Sequence, residues 1–160
     1  MLDSMKEVNV AKPGENVRIK FNKLSSEQAI HKGYVLCAQG QPLCPDVTSF
    51  IADIRVMQLL KHKLLITSGY SCLLHVHTIV TDCTIDRLLI QTDMATKKKT
   101  REPRFVKSNS FVTVKIDVPH SVSVESFERM QVLGQFTLRD EGCTIAFGRI
   151  TRLLIKKKNK

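Results

Sequence analysis

Apolar and polar residues alternate with a period of two along much of this chain. Val17, Ile19 and Phe21 interleave with Arg18, Lys20 and Asn22, which predicts a strand with one wet face. Val112, Val114, Ile116 and Val118 oppose Phe111, Thr113, Lys115 and Asp117, again one-sided. Cys72, Leu74, Val76, Thr78 and Val80 oppose Leu73, His75, His77 and Ile79. Both of those sets are largely apolar, which predicts one strand covered on both faces. Thr144 to Leu154 reads as a last long strand. Turn formers punctuate the series at Lys12-Pro13-Gly14-Glu15-Asn16, Ser68-Gly69-Tyr70, Val118-Pro119-His120 and Glu141-Gly142. Ser25 to Ile30 opens like a helix but is too short to persist, and it reads as a loop. Strands at this spacing, without a long amphipathic helix, predict an all-β fold: a closed antiparallel Greek-key β-barrel.

The stretch Gln39-Gly40-Gln41-Pro42-Leu43-Cys44-Pro45 is rich in turn formers and marks the expected domain boundary. Residues 1–40 hold two or three strands at most, too few for a barrel. They are expected to be an incomplete β-barrel fragment, the end of a second barrel domain. Residues 41–156 are expected to form the complete third barrel, and residues 157–160 a basic tail.

Composition adds a charge and a compartment. The chain has 160 residues, 42% of them apolar, and a formal charge of +10. That is enough apolar material for a core, and no run is long enough for a membrane-spanning helix. The first residues lack the basic and apolar regions of a secretory signal. Five cysteines (Cys37, Cys44, Cys72, Cys83, Cys143) form an odd, scattered set, read as reduced, buried thiols of a cytoplasmic protein. The charge clusters at Lys97-Lys98-Lys99 with Arg101 and Arg104, and again at Lys156-Lys157-Lys158 with Lys160. Such runs suit a polyanionic or acidic partner, or simply a solvated loop and tail.

Catalytic and cofactor chemistry is sought with little result. The seven glycines never give the phosphate-cradling G-x-x-x-x-G-K-[ST]. Asn22-Lys23-Leu24-Ser25 is like a guanine-reading N-K-x-D, but Ser25 stands where the base-pairing carboxylate is required. His75 and His77 are two apart and would share a strand face, yet no C-x₂-C pair accompanies them. Ordinary structural partners are the better reading of both, and no metal site is expected. Nucleophilic catalysis needs a positioned base and an orienting group, and nothing local assembles them. The chain is expected to be no enzyme and to hold no cofactor.

The specific signal is Gly134-Gln135-Phe136-Thr137-Leu138-Arg139-Asp140-Glu141-Gly142-Cys143-Thr144-Ile145-Ala146-Phe147-Gly148. It resembles the GRFTLRDEGKTIAIG motif of the eukaryotic class II release factor, the GTP-binding subunit within the translational GTPase family. Three further stretches agree in order. Lys12-Pro13-Gly14-Glu15-Asn16 resembles the family's PGEN turn, Gly69-Tyr70 with Leu74-His75-Val76-His77-Thr78 its G-Y…L-H-x-H-T strand, and Arg101 to Lys107 its R-P-R-F-V-K. The resemblance runs from about Val8 to Leu154. Gln135 and Cys143 depart from it, each replacing a basic residue, and the stretch from Phe50 to Tyr70 is longer than usual, with Leu59 to Leu65 read as extending a hairpin.

The resemblance implies translation termination, with this barrel docking on the C-terminal domain of the class I release factor and acting on the ribosome as a monomer. GTP and magnesium would be bound by a GTPase domain upstream of this stretch. Candidate contact residues are Phe50, Tyr70, Arg104, Thr137, Arg139 and Asp140; the basic residues Lys97, Lys98, Lys99 and the tail Lys156 to Lys160 could touch ribosomal RNA without sequence preference. The nearer rival is the ribosome-rescue paralogue with the same fold, against which Thr137 to Gly142 argue. The second is a basic tRNA- or rRNA-binding barrel of elongation-factor type. Aromatics make up only 6% of the chain and do not interleave with the lysine runs, which disfavours a base-stacking platform.

Overall fold

The alternation builds seven antiparallel strands in the computed structural model, which describes residues 8–21, 30–40, 42–93 and 98–155. They are β1 (Asp46–Val56), β2 (Tyr70–Val76), β3 (Ile79–Thr92), β4 (Lys99–Arg101), β5 (Phe111–Ser123), β6 (Gln135–Asp140) and β7 (Cys143–Leu153), with a short helix α1 (Gln131–Gly134) ahead of β6. Among the described residues no helix is long and apolar enough to cross a membrane.

Six strands close on themselves in the order β2-β6-β7-β1-β5-β3, and β2 pairs with β3 to shut the barrel. Only β2–β3 and β6–β7 are hairpins within this ring. The strand β1 lies between β5 and β7, both distant in sequence, which is the crossing pattern of a Greek key. The short strand β4 stands outside the ring, paired to the end of β3.

Inward positions form one continuous core. Phe50, Ile54, Leu74, Ile85, Ile116, Leu138, Ile145 and Ile150 are fully buried. Each such side chain contributes about 1.5–3 kcal/mol of burial. The rings of Phe50 and Phe136 meet edge to face, with centroids 5.7 Å apart. Gly148 faces Phe136, and a Cβ there would lie 2.2 Å from the ring. The glycine is required for the room it leaves.

Several expectations are revised. Cys72 to Val80 is not one strand but a hairpin, reversed at His77, which takes φ +40°. The strand β5 continues through Pro119, which sits where its pairing with β1 slips between Val47 and Ser49. A bulge tolerates the missing N–H. Residues 57–65 do not extend a hairpin. They form a loop, held by Leu59 N–H donating to Ser108 Oγ at 3.1 Å and closed by a bridge between Ile66 and Val106. Of the cysteines, Cys72 and Cys83 are buried, while Cys37 and Cys143 are exposed.

The chain divides into two compact units, residues 1–30 and 31–160. In the first, Lys12 to Glu15 form a turn, with Glu15 N–H donating to the Lys12 carbonyl at 3.2 Å. Val17, Ile19 and Phe21 are exposed and form no strand, because no ladder partner lies beside them among the described residues. The N-K-x-D-like segment, Lys97 and the lysines of the tail fall outside the described residues.

Candidate functional site

The strand β6 follows the predicted alternation. Phe136 and Leu138 point into the core, while Gln135, Thr137 and Arg139 face outward. The turn after it takes φ +48° at Glu141 and +80° at Gly142, a reversal that glycine allows without a Cβ penalty. The Arg139 guanidinium donates to the Gly142 carbonyl across this turn. Arg139 Nε is buried and has no hydrogen-bond partner.

Tyr70 and Asp140, far apart in sequence, meet directly. The Tyr70 hydroxyl donates to Asp140 Oδ2 at 2.6 Å, and Lys63 Nζ donates to the same oxygen at 2.9 Å. Glu141 extends the cluster, lying 2.9 Å from His62 and 3.6 Å from Lys63. Together these bonds fasten the loop 57–65 to the β6–β7 turn. Burial of Asp140 opposes its charge, but the bonds from Tyr70 and Lys63 outweigh it and hold the carboxyl below its ordinary range. Burial, then the bond to Asp140, push the Tyr70 phenol up. The bond to Asp140 also raises the Lys63 ammonium.

Thr137 belongs to a second assembly. Cross-strand register sets Arg55 opposite Phe147, Phe147 opposite Thr137, and Thr137 opposite His75. One step along, Asp53 stands opposite Arg149, which stands opposite Gln135. These residues, with Phe111 and Val132, line an open groove of about 840 Å³. Asp53 accepts a 2.6 Å hydrogen bond from Thr113, and the Arg149 guanidinium lies 4.5 Å from the Phe127 ring centroid. The chemistry is that of recognition: hydrogen-bond donors and cations over an apolar lining.

The six candidate contact residues therefore part company. Thr137 lines the groove and Arg139 is half-exposed beside it on β6. Tyr70 and Asp140 are engaged with each other, with Asp140 buried. Arg104 is exposed in the β4–β5 connection, outside the groove lining. Phe50 is 0% exposed, a correction to its place at the partner face: it sits mid-strand between β5 and β7, so its side chain fills the barrel. Arg55, Phe147 and Arg149 were not anticipated. Their only sequence signal is the outward phase of each strand.

His75 is half-buried in the groove wall, while His77 donates Nε2–H to the Ser123 carbonyl at 3.0 Å. Among the described residues no group of three or more His, Cys, Asp or Glu is placed to hold a metal ion.

Comparison with known proteins gives consistent matches. The family model described as GTP-eEF1A C-terminal domain-like matches residues 49–151. A eukaryotic peptide chain release factor GTP-binding subunit from Kluyveromyces lactis is 35% identical over 149 residues, 92% of this chain and 21% of that protein. Its namesake from Schizosaccharomyces pombe is 32% identical over 148 residues, 92% of this chain and 22% of that protein. The chain thus spans about a fifth of the length of these curated relatives. A structure of sup35 complexed with GDP superposes with a TM-score of 0.70 at 34% identity, covering 79% of this chain and 30% of that one. A structure of sup35 complexed with GMPPNP gives 0.71 at 33% identity, covering 82% and 31%.

Proposed function

We propose, from the premise that this chain belongs to the GTP-eEF1A C-terminal domain-like family, that it is the docking barrel of a translation-termination GTPase. In this reading the barrel tethers a GTP-binding subunit to the C-terminal domain of the class I release factor. GTP and magnesium are handled by a separate GTPase domain, and the joint complex works on the ribosome in the cytoplasm. The observation that carries the reading is the outward-facing pair Thr137 and Arg139 on β6. It lies within a chain whose relatives are named as release-factor GTP-binding subunits.

Arg139 suits an interface role. It is half-exposed on the outward face of β6, and arginine forks match carboxylates in two-bond geometry. Lys98, Lys99 and Arg101 at the outer end of the sheet are proposed to make loose contacts with ribosomal RNA, by charge rather than by base reading.

Calorimetric titration of this chain with the class I factor's C-terminal domain tests the reading. Saturable one-to-one binding is expected. Absence of binding at concentrations of about 100 μM, well above ordinary interface affinities, would remove the tethering role.

A further inference from the structure

We infer that the groove across β1, β7 and β6 seats an acidic segment of a partner protein, one that carries an apolar side chain between its carboxylates. The inference rests on the docking reading above and says where on the barrel, and by what chemistry, the contact is made.

The groove is assembled by register rather than by sequence. Neighbouring strands lie about 4.8 Å apart, so Arg55, Phe147 and Thr137 form a contiguous row across three of them. Phe147 is 50% exposed and Val132 is 68% exposed, and Phe111 stands opposite Arg55 on its other side. A single exposed apolar residue means little, but two exposed ones beside the half-buried Phe111 in one concavity mark a surface that gains by being covered. These side chains supply the seat for an apolar anchor.

The charges fix the partner's sign. Arg55 and Arg149 flank Phe147, across the sheet and along its own strand, and His75 adds a further donor. The carboxylate in the lining, Asp53, is already engaged by Thr113. The Arg149 guanidinium is steadied over the Phe127 ring, so less side-chain freedom is lost when it meets a ligand. Arginines and aromatic residues are both enriched at protein interfaces. The natural complements of the two arginines are the carboxylates of Asp or Glu, bound in paired hydrogen bonds.

A nucleic acid is the lesser fit. Phe147 is the one strongly exposed ring in the lining, short of a stacking platform for successive bases. Continuity with Thr137 points the same way, since that residue belongs at once to the groove and to the proposed docking strand.

The test has two arms on the intact chain. In the first, Arg55→Glu and Phe147→Ala are titrated with the class I factor's C-terminal domain, with Arg87→Glu as control and melting followed for each. Losses of at least about tenfold for the groove variants, unchanged melting, and no effect of Arg87→Glu are expected. In the second, amide resonances are followed by NMR as three probes are added: the capped peptide Asp-Glu-Phe-Glu-Asp, its uncharged analogue Asn-Gln-Phe-Gln-Asn, and oligouridylate. The acidic peptide is expected to shift Arg55, Phe147 and Arg149, and the uncharged one to shift them far less. Shifts by the acidic peptide without binding of the class I domain would sink the docking reading and leave the groove standing. Binding of that domain unaffected by both variants, with the peptide silent at the groove, would sink the groove alone. Stronger shifts from oligouridylate than from the peptide would overturn the protein partner in favour of RNA.

Discussion

The Tyr70 hydroxyl and the Asp140 carboxylate are joined by a 2.6 Å hydrogen bond across the end of the barrel. Both are candidates for touching a partner, and each is also bonded to the other. With Lys63 they form a clasp that fastens a long loop to the β6–β7 turn. Tyr70→Phe removes one donor from a buried carboxylate and should lower stability by about 1–2 kcal/mol. Urea unfolding measures this; an unchanged midpoint would show that the clasp is idle. Affinity for the class I factor's domain should stay near that of the unaltered chain.

Acid should loosen the same clasp. The folded carboxyl of Asp140 titrates below its ordinary range, because the bonds from Tyr70 and Lys63 outweigh the effect of burial. Its contribution is therefore fully present above the unfolded value of about 3.9, and it is lost as pH falls through the lower folded value. Between neutral pH and about pH 3, Asp140→Asn should lose less stability than the unaltered protein. Parallel acid-limb curves for the two proteins would refute this linkage.

Gly148→Ala should strain the core. The new methyl would lie 2.2 Å from the Phe136 ring, which is itself pinned against Phe50. Overpacking of this kind costs about 1–3 kcal/mol. A second change, Phe136→Leu, should recover part of the loss, and thermal melting of the single and double variants reads both effects. A melting temperature unchanged by Gly148→Ala would mean the interior yields more than its geometry implies.

Arg139→Glu separates docking from folding. The β6–β7 turn is already set by the backbone at Glu141 and Gly142, so loss of the guanidinium bond should cost little stability. If the arginine is desolvated at the interface, affinity should fall by about thirtyfold or more, the equivalent of about 2 kcal/mol. Reduced melting with intact affinity would make Arg139 a brace of the turn and nothing more.

The thiols should react in order of exposure. Cys37 and Cys143 are exposed, whereas Cys72 and Cys83 face each other in the core with sulfurs 3.6 Å apart. The bond with Cys72, and then burial, push the Cys83 thiol up, away from the reactive thiolate. Mass spectrometry after brief alkylation should show Cys37 and Cys143 modified first. Cys72 and Cys83 should follow only in denaturant, and early labelling of either would indicate frequent opening of the β2–β3 hairpin.

Strand phase was legible because it is local: Phe136 inward and Thr137 outward follow from alternation alone. Neighbour choice was not. Nothing around Phe50 announces that β1 runs between β5 and β7, and without that fact its ring is easily placed at a rim. The groove was hidden for the same reason, since Arg55 and Phe147 meet only once β1 and β7 are in register. The hairpin at His77 was missed because its two arms share one unbroken apolar pattern and no glycine or asparagine marks the reversal.

The strand outside the ring is Lys99-Thr100-Arg101. It holds the one open edge among the described strands of the sheet, where another chain's backbone could otherwise attach. Two copies meeting there edge to edge would bring lysine and arginine against their own kind, and the strand is too short to compensate with ladder bonds. The consequence is colloidal: charge at this border guards the sheet against growing from one molecule into the next, and concentrated solutions of the chain should stay clear where a Lys99→Val, Arg101→Val variant turns turbid.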